Sequence, residues 1–566
     1  MTFFAPAHCH PNNNISGQGN SHSSPESTPT DRHKRQILFY LLLLLTVTGL
    51  APSAWALPTG GQVVDGQAEI VYSERTVTIT QHSAHLRIEW DRFNISADES
   101  VTLIQPEPDA TAWLGVVAHG SGDGGSSTID GTLSANGQVL ISAANGLALG
   151  PASVVTAQSL LLTSLDSHSG CFVNVQHLEL NRPGNPTAVI SNAGTITVAT
   201  HGLVALIAPG VDNSGRIDAP QGMALLASGP VHAIHGDTDT ALQIAATVPT
   251  TAQPLRPDGS VLTARVSNSG LISTEAGTVI LAVDSAENSS ATLAEHAINM
   301  AGVIQARSTQ DGNGQIALIA GENTGEVQVT GTLDAAAAET GSSGGTVHVL
   351  GDQIALSAAA NVNVSGPAGG GTALIGGARQ GGANAADAAI QYARTDTVTT
   401  LIVKSSADAG GYVPTSKITS IEAGAIVTAD ATDSGAGGTV IVWADDTTTF
   451  AGVISARGGA NGGDGGFVET SGASRLGVVD TASVDALAPN GAVGDWLLDP
   501  ATVIIRSGGT ATLAEIADAS DTTSNLVVDP VTINNATANV SIVATDTITF
   551  EEAVSITAAG VGLTVT

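Results

Sequence analysis

A short refrain returns along this chain. Asn192-Ala193-Gly194-Thr195-Ile196 is echoed by Asn213-Ser214-Gly215-Arg216-Ile217, by Asn268-Ser269-Gly270-Leu271-Ile272 and by Ala301-Gly302-Val303-Ile304. After the first two copies comes a glycine and an apolar alternation, as in Gly202-Leu203-Val204-Ala205-Leu206-Ile207 and Gly222-Met223-Ala224-Leu225-Leu226. A unit of about 20 to 30 residues built from short strands and glycine turns cannot bury an apolar face by itself and must stack on its neighbours. The refrain therefore predicts a solenoid and argues against a row of compact globules.

The amino acid usage agrees. Only 4 Tyr, 5 Trp and 8 Phe are spread over 566 residues, too few to fill several globular cores. The 66 Gly, with abundant Ala, Val, Thr and Ser, suit a narrow stack whose interior takes aliphatic ladders. At 42% hydrophobic residues the chain is too apolar for disorder. A formal charge of −33 argues against nucleic acid as a partner, because that affinity depends on Lys and Arg displacing counterions. The acidity itself reads as a solvated, self-repelling surface.

Near the N-terminus, Arg32-His33-Lys34-Arg35 leads into the apolar run 36–45, and Ala54-Trp55-Ala56 places small residues where a signal peptidase reads. The run is too short to span a bilayer, so residues 1–56 read as an extended signal peptide with Ala54 and Ala56 at the cleavage site and Leu57 as the mature start. No later segment has the length and apolarity of a membrane helix, and stable membrane insertion is not expected. Cys9 precedes the cleavage site, which leaves Cys171 alone and excludes a disulfide framework; its setting, Cys171-Phe172-Val173, is that of a packed residue.

Between Leu57 and about Leu165 the strand signals are denser. Thr76-Val77-Thr78-Ile79-Thr80 and His85-Leu86-Arg87-Ile88-Glu89-Trp90 alternate at period 2, as strands with one buried face do. This stretch is expected to close the open end of the stack. Strand and turn units then recur, including Gly344-Gly345-Thr346-Val347-His348-Val349, Gly437-Gly438-Thr439-Val440-Ile441-Val442-Trp443 and Gly465-Gly466-Phe467-Val468. Residues 380–390, rich in Ala, Gly and Asn, read as a protruding loop. Stacked in parallel at about 4.8 Å per coil, about 20 coils would make a rod on the order of 100 Å long.

Several segments, in order, closely resemble the secretion domain of filamentous haemagglutinin-type exoproteins. They are Leu57-Pro58-Thr59-Gly60-Gly61-Gln62-Val63, Ile79-Thr80-Gln81, Trp90-Asp91-Arg92-Phe93-Asn94-Ile95, Val101-Thr102-Leu103-Ile104-Gln105-Pro106 and Leu133-Ser134-Ala135-Asn136-Gly137-Gln138-Val139. Gly466-Phe467-Val468-Glu469-Thr470-Ser471-Gly472 and Gly494-Asp495-Trp496-Leu497-Leu498-Asp499-Pro500 resemble later segments of the same family. The resemblance implies an all-β chain, a right-handed parallel β-helix with an N-terminal capping secretion domain over residues 57–191 and a β-helical repeat region over 192–566. It implies export by two-partner secretion, with a separate outer-membrane transporter recognising the N-terminal domain, and Trp90, Phe93, Asn94, Gln105, Pro106, Asn136, Gly137, Asn145 and Gly146 as secretion-motif residues. Where the family usually shows Asn-Pro-Asn-Gly, this chain has Ala143-Ala144-Asn145-Gly146, which changes the preferred turn geometry.

Motifs for catalysis or metal binding are scarce. There is no Walker loop, no zinc-spaced Cys pair and no His-Glu-x-x-His element. Acidic pairs such as Asp445-Asp446 stand beside strands without nearby basic clusters, unlike the converging carboxylates of polysaccharide-cleaving β-helices. Gly462-Gly463-Asp464-Gly465-Gly466 reads as a turn, since calcium sites of the glycine-aspartate kind need several copies in register. His82 and His85 are expected on opposite faces, and Trp90 with Phe93 as core packing rather than a ligand-stacking pair. The acceptor-type triplets beginning at Asn94, Asn288, Asn363, Asn535 and Asn539 read as chance occurrences. The expected function is a secreted or surface-exposed, non-catalytic adhesin of a Gram-negative bacterium, reached through the periplasm, without a cofactor and with a receptor the sequence does not identify. A haem- or iron-acquisition exoprotein is the first rival and a polysaccharide-active enzyme the second; no C-terminal toxin domain is visible. The sequence stops at Gly562-Leu563-Thr564-Val565-Thr566 in mid-alternation, which reads as a truncated C-terminus.

Overall fold

The computed structural model describes residues 57–116, 126–167, 177–229, 231–235, 242–246, 248, 250–256, 259–284, 294–310, 312–321, 325–382, 391–395, 398–402, 413–508 and 527–566. The chain divides into units 1–55 and 56–566, and all described residues belong to the second. The signal-cleavage residues Ala54 and Ala56, and Cys171, lie outside the described residues, as does most of the loop expected at 380–390.

Three long sheets dominate the described residues. Sheet I has 16 strands, sheet II has 11 and sheet III has 14. A coil visits them in turn: Ser159–Thr163 in sheet I, Val189–Asn192 in II, Thr195–Val198 in III, then Leu203–Ile207 back in I. Apart from the first pair in sheets I and III, successive strands within each sheet pair in parallel, as Leu203 with Met223 and Arg216 with Leu271 show. The molecule is thus the stacked solenoid that the refrain predicts and the all-β, parallel β-helix that the resemblance implies. Among the described residues sheet I holds 15 parallel rungs beside its antiparallel first strand rather than about 20, because chain between Met223–Ser228 and Ala264–Asn268, or between Thr372–Ile375 and Ile418–Ile421, is spent without adding a rung to it.

The interior is a set of aliphatic columns. Along sheet I, Leu162, Leu206, Leu226, Leu281, Leu318, Val349, Ile375 and Val442 stand one above another, all buried. The refrain is the corner from sheet II to sheet III. Its asparagine ends the sheet II strand pointing inward, and the copies form a buried ladder: Asn192 Nδ2 donates to Asn213 Oδ1 at 2.8 Å, and Asn213 Nδ2 donates to Asn268 Oδ1 at 2.6 Å. The next coil has Met300, whose Sδ accepts from Asn268 Nδ2 at 3.4 Å. The refrain's glycine is required by close approach: a Cβ on Gly215 would fall on the Gly194 carbonyl oxygen, and one on Gly270 would fall on that of Gly215. A second glycine column, through Gly345, Gly371, Gly438, Gly466 and Gly494, obeys the same rule where chains enter sheet I.

Strands in the middle of sheet I are buried on both faces, which the alternating pattern does not anticipate. Leu203–Ile207 and Met223–Ser228 are buried at every position, as strands covered on both sides are. Their outward residues join a second core with Leu178, Leu180, Ile244 and Ala246. These four come from His177–Leu180 and Leu242–Ala246, which with Val231–His235 form a small sheet outside the helix. Arg265 fastens the base of that excursion. Its guanidinium, nearly fully buried, donates to Ser228 Oγ at 3.2 Å and to the Asp284 carbonyl at 2.5 Å. Burial lowers its pKa to about 10, with Asp284 opposing.

One outward column of sheet I runs Leu225, Ile280, Ala317, His348, Leu374, Ile441, Glu469 and Leu497. His348 is fully buried there, and burial lowers its pKa to about 4. The unfolded chain takes up this proton near its ordinary 6.5, the folded chain only near 4. Stability from this residue is therefore complete above about 6.5 and is lost as pH falls toward about 4. His348→Leu is expected to flatten the acid side of a melting-temperature profile over that window, removing up to about 3 kcal/mol of pH-dependent destabilisation. In a second experiment Asn213→Ala, which strips partners from two buried amides, is expected to destabilise by roughly 2–4 kcal/mol, read as a lower melting temperature.

Candidate recognition surface at the N-terminal end

An antiparallel strand closes the lowest rung of sheets I and III, and a single bridge that of sheet II. Gln62–Asp65 lies antiparallel to His85–Trp90 and closes sheet I; Ala68–Tyr72 lies antiparallel to Thr76–Gln81 and closes sheet III. Sheet II begins with Ser127–Ile129, beneath which Ile95 forms a parallel bridge to Ile129. The cap is thus narrower than the dense stretch to Leu165 suggests. From Thr76 onward the sheet III strands already pair in parallel, Thr76 with Ser100 and Ser100 with Thr132, so their alternation is that of ordinary coils.

Trp90 and Phe93 plug the bore above this cap. Both are fully buried, with ring centroids 5.6 Å apart and planes at 72°, the edge-to-face arrangement that aromatic quadrupoles favour. Gly61 sits flat on the indole, where a Cβ would come within 2.5 Å of Trp90 Cζ3. Asn94, half-buried, accepts from Thr128 N through Oδ1 at 2.9 Å and so anchors the rung beneath sheet II.

Gln105, Asn136 and Gly137 form one clamp between neighbouring coils. Gln105 N donates to Asn136 Oδ1 at 2.7 Å, Asn136 Nδ2 donates to the Gln105 carbonyl at 2.9 Å, and Gly137 N donates to Gln105 Oε1 at 2.9 Å. Gln105 Nε2 also reaches the Ala110 carbonyl at 2.8 Å. Gly137 leaves room for this, since its Cβ would come within 2.6 Å of Gln105 Cδ. Pro106 follows the clamp in the open, and Asn136 is likewise exposed.

Asn145 and Gly146 complete a separate turn. Gly146 N donates to the Ala143 carbonyl at 2.8 Å with Gly146 at φ +94°, so a tight turn forms without the proline that the family usually carries. The structure therefore groups Trp90 with Phe93, and Gln105 with Asn136 and Gly137, while Asn94 and Gly146 hold other corners. Gln81, in the segment Ile79-Thr80-Gln81, was missed as a clamp of the same kind: its Nε2 donates to the Ser83 carbonyl at 2.6 Å and to that of Thr111 at 3.2 Å. Exposed apolar residues at the cap, Val63, Val64, Val71 and Tyr72, were also missed; alternation alone does not show that a strand's outer edge lacks a partner.

The remaining candidates resolve into local bonds. Asp445 accepts from Trp443 Nε1 at 2.9 Å and Asp446 pairs with Arg475 at 3.3 Å. Asp464 accepts from Ala492 N at 2.8 Å within a stacked turn. The side chains of Asn363 and Asn539 also accept from backbone amides, those of Ser365 and Gly562. Asn288 lies outside the described residues. Among the described residues no three His, Cys, Asp or Glu side chains converge as a metal site, and no helix is long and apolar enough to cross a membrane.

Residues 54–329 match the family model described as the TPS secretion domain. Over 127 residues the chain is 32% identical to the heme/hemopexin-binding protein of Haemophilus influenzae; this stretch is 22% of the chain and 14% of that relative's length. The crystal structure of the HMW1 secretion domain from Haemophilus influenzae superposes with a TM-score of 0.58 at 24% identity, covering 78% of this chain and 100% of that one, and shares its β-helical fold.

Removing the clamp by Gln105→Ala leaves the Gly137 amide and the Ala110 carbonyl without their partner. The expected loss is about 2–3 kcal/mol, seen as a lower melting temperature. Asn136→Ala keeps the Gln105 side chain in place and is expected to lose about half as much.

Proposed function

We propose a function for this chain from the family it belongs to, the two-partner secretion exoproteins: it is a non-catalytic adhesin, delivered to the cell surface or beyond through an outer-membrane transporter. The observation that carries this reading is the TPS secretion domain at residues 54–329, built on a β-helix with its own antiparallel cap. Within it, residues 57–191 direct export. The cap strands and the turns bearing Trp90, Phe93, Asn94, Gln105, Pro106, Asn136, Gly137, Asn145 and Gly146 form the part that the transporter meets before the chain folds. Those side chains then serve a second purpose, closing the first coils so that later coils have a template. Stacking outside the cell opposes backward movement, because each completed rung buries apolar surface.

The coils beyond 192 form the stalk or adhesive surface. Its low content of Lys and Arg keeps anionic polymers away and leaves recognition to hydroxyls, amides and backbone. The family is one of secretion-domain exoproteins and not of enzymes, which supports the non-catalytic reading. A second reading, haem capture, is favoured by the name of the heme/hemopexin-binding relative.

Deleting residues 57–191 in a strain that supplies the transporter is expected to abolish secretion; continued secretion of the remainder would reject the export reading. Titrating the secreted protein with haem is expected to give no saturable change in the Soret band. A saturable stoichiometric change would replace adhesion by haem capture.

A further inference from the structure

Five asparagines stand directly before a glycine in this chain: Asn136, Asn145, Asn313, Asn461 and Asn490. Such a pair can react with itself. The glycine nitrogen attacks Cγ of the asparagine side chain, and glycine carries no Cβ to obstruct the ring that closes. A nitrogen whose N–H is held in a hydrogen bond must first give that bond up, which slows the attack. The fold therefore decides which of the five pairs are chemically stable.

Four of these glycine amides are held. Gly137 N donates to Gln105 Oε1 at 2.9 Å, Gly146 N to the Ala143 carbonyl at 2.8 Å and Gly314 N to Ser308 Oγ at 3.0 Å, and all three glycines are buried. Gly462 N donates to the Gly459 carbonyl at the longer distance of 3.2 Å, and Gly462 is half-buried. Gly491 differs on both counts: it is exposed, and among the described residues its N–H has no acceptor. Asn490 is exposed as well, and its side chain reaches back to the preceding coil, Nδ2 donating to the Ala460 carbonyl at 2.6 Å. That coil also dictates the glycine, since a Cβ on Gly491 would fall on the Gly463 carbonyl oxygen. Stacking thus demands the very residue that makes the pair reactive.

We propose that Asn490-Gly491 is a site of spontaneous deamidation in the folded protein, with water as the co-reactant. The Gly491 nitrogen forms a bond to Asn490 Cγ, the Cγ–Nδ2 bond breaks, and ammonia leaves carrying the glycine proton. Water then opens the resulting succinimide at one of its two carbonyls, giving aspartate or isoaspartate. Either product adds a negative charge and puts an acceptor where Nδ2 donated, facing the Ala460 carbonyl. Isoaspartate also lengthens the backbone by one carbon in a loop that stacks on Gly463 and leads into Asp495–Leu498. The reaction therefore weakens the hold of this corner on the coil before it.

Incubating the full folded chain in neutral buffer for several weeks, followed by tryptic mass mapping, tests this. Cleavage after Arg475 and Arg506 yields a peptide in which Asn490 is the only amide side chain, and cleavage after Arg457 and Arg475 one in which Asn461 is the only such side chain. Asn490 is expected to turn from amide to acid about tenfold faster than Asn136, Asn145 or Asn313, whose glycine hydrogen bonds must break first, with Asn461 in between. In the chain unfolded by urea the five should react at similar rates. Asn490→Gln should remove the change from its peptide. An intact Asn490 in the folded chain, or a rate no higher than at the other four, would overturn the proposal. So would the same order of rates in urea, since the fold would then play no part, or a change that persists in Asn490→Gln.

Discussion

Each coil sits on the one before it at a fixed register, and almost everything else in this molecule follows from that contact. Parallel backbone hydrogen bonds set the spacing between rungs but would tolerate sliding along the strand. What removes the freedom is the corners. Glycine meets the carbonyl of the glycine one coil earlier, where no Cβ fits, in one column at the turn into sheet III and in another at the turn into sheet I. Between those fixed points a strand has room for only three to six residues, so inward side chains must align in columns. The aliphatic ladders of sheet I are the outcome of corner packing, not its cause.

The sequence was legible where periodicity and turn chemistry carry the information. Asn-x-Gly-x-Ile announced both the corner and the repeat, and glycine pairs before apolar strands marked the entry to sheet I. The buried asparagine ladder was not legible, because an asparagine at a turn reads equally well as a solvated turn residue; only the register places Asn192 beneath Asn213. The outer face of sheet I was missed for another reason. Unbroken runs such as Met223-Ala224-Leu225-Leu226 signal burial on both sides, but the strands that cover them come from excursions whose sequences carry little period of their own. At the N-terminal end, the motif residues were found by resemblance, whereas their grouping came from the fold. Gln105 and Asn136 are distant in sequence and reciprocal in space.

The polar groups inside and against this apolar stack are few and are used in different ways. Arg265 remains charged and ties down an excursion through carbonyls and a hydroxyl. His348 and Glu469 share one column on the outside of sheet I, and burial moves both pKa values toward the neutral form, the histidine downward and the carboxyl upward. The histidine thereby makes the fold sensitive to acid. Thr470, Ser471 and Trp496 satisfy each other across a single rung, which is why two motifs separated in the chain behave as one joint.

The asparagine ladder has a direction and an end. Each amide nitrogen points to the following coil, and the series stops on the sulfur of Met300. Coils that look interchangeable in sequence are consequently not so in assembly. Skipping the Met300 coil would set the Asn268 amide beside Val329 instead of the Met300 sulfur, leaving a buried donor against hydrocarbon. The ladder therefore marks one point on the axis, the coil where asparagine gives way to methionine, as different from its neighbours.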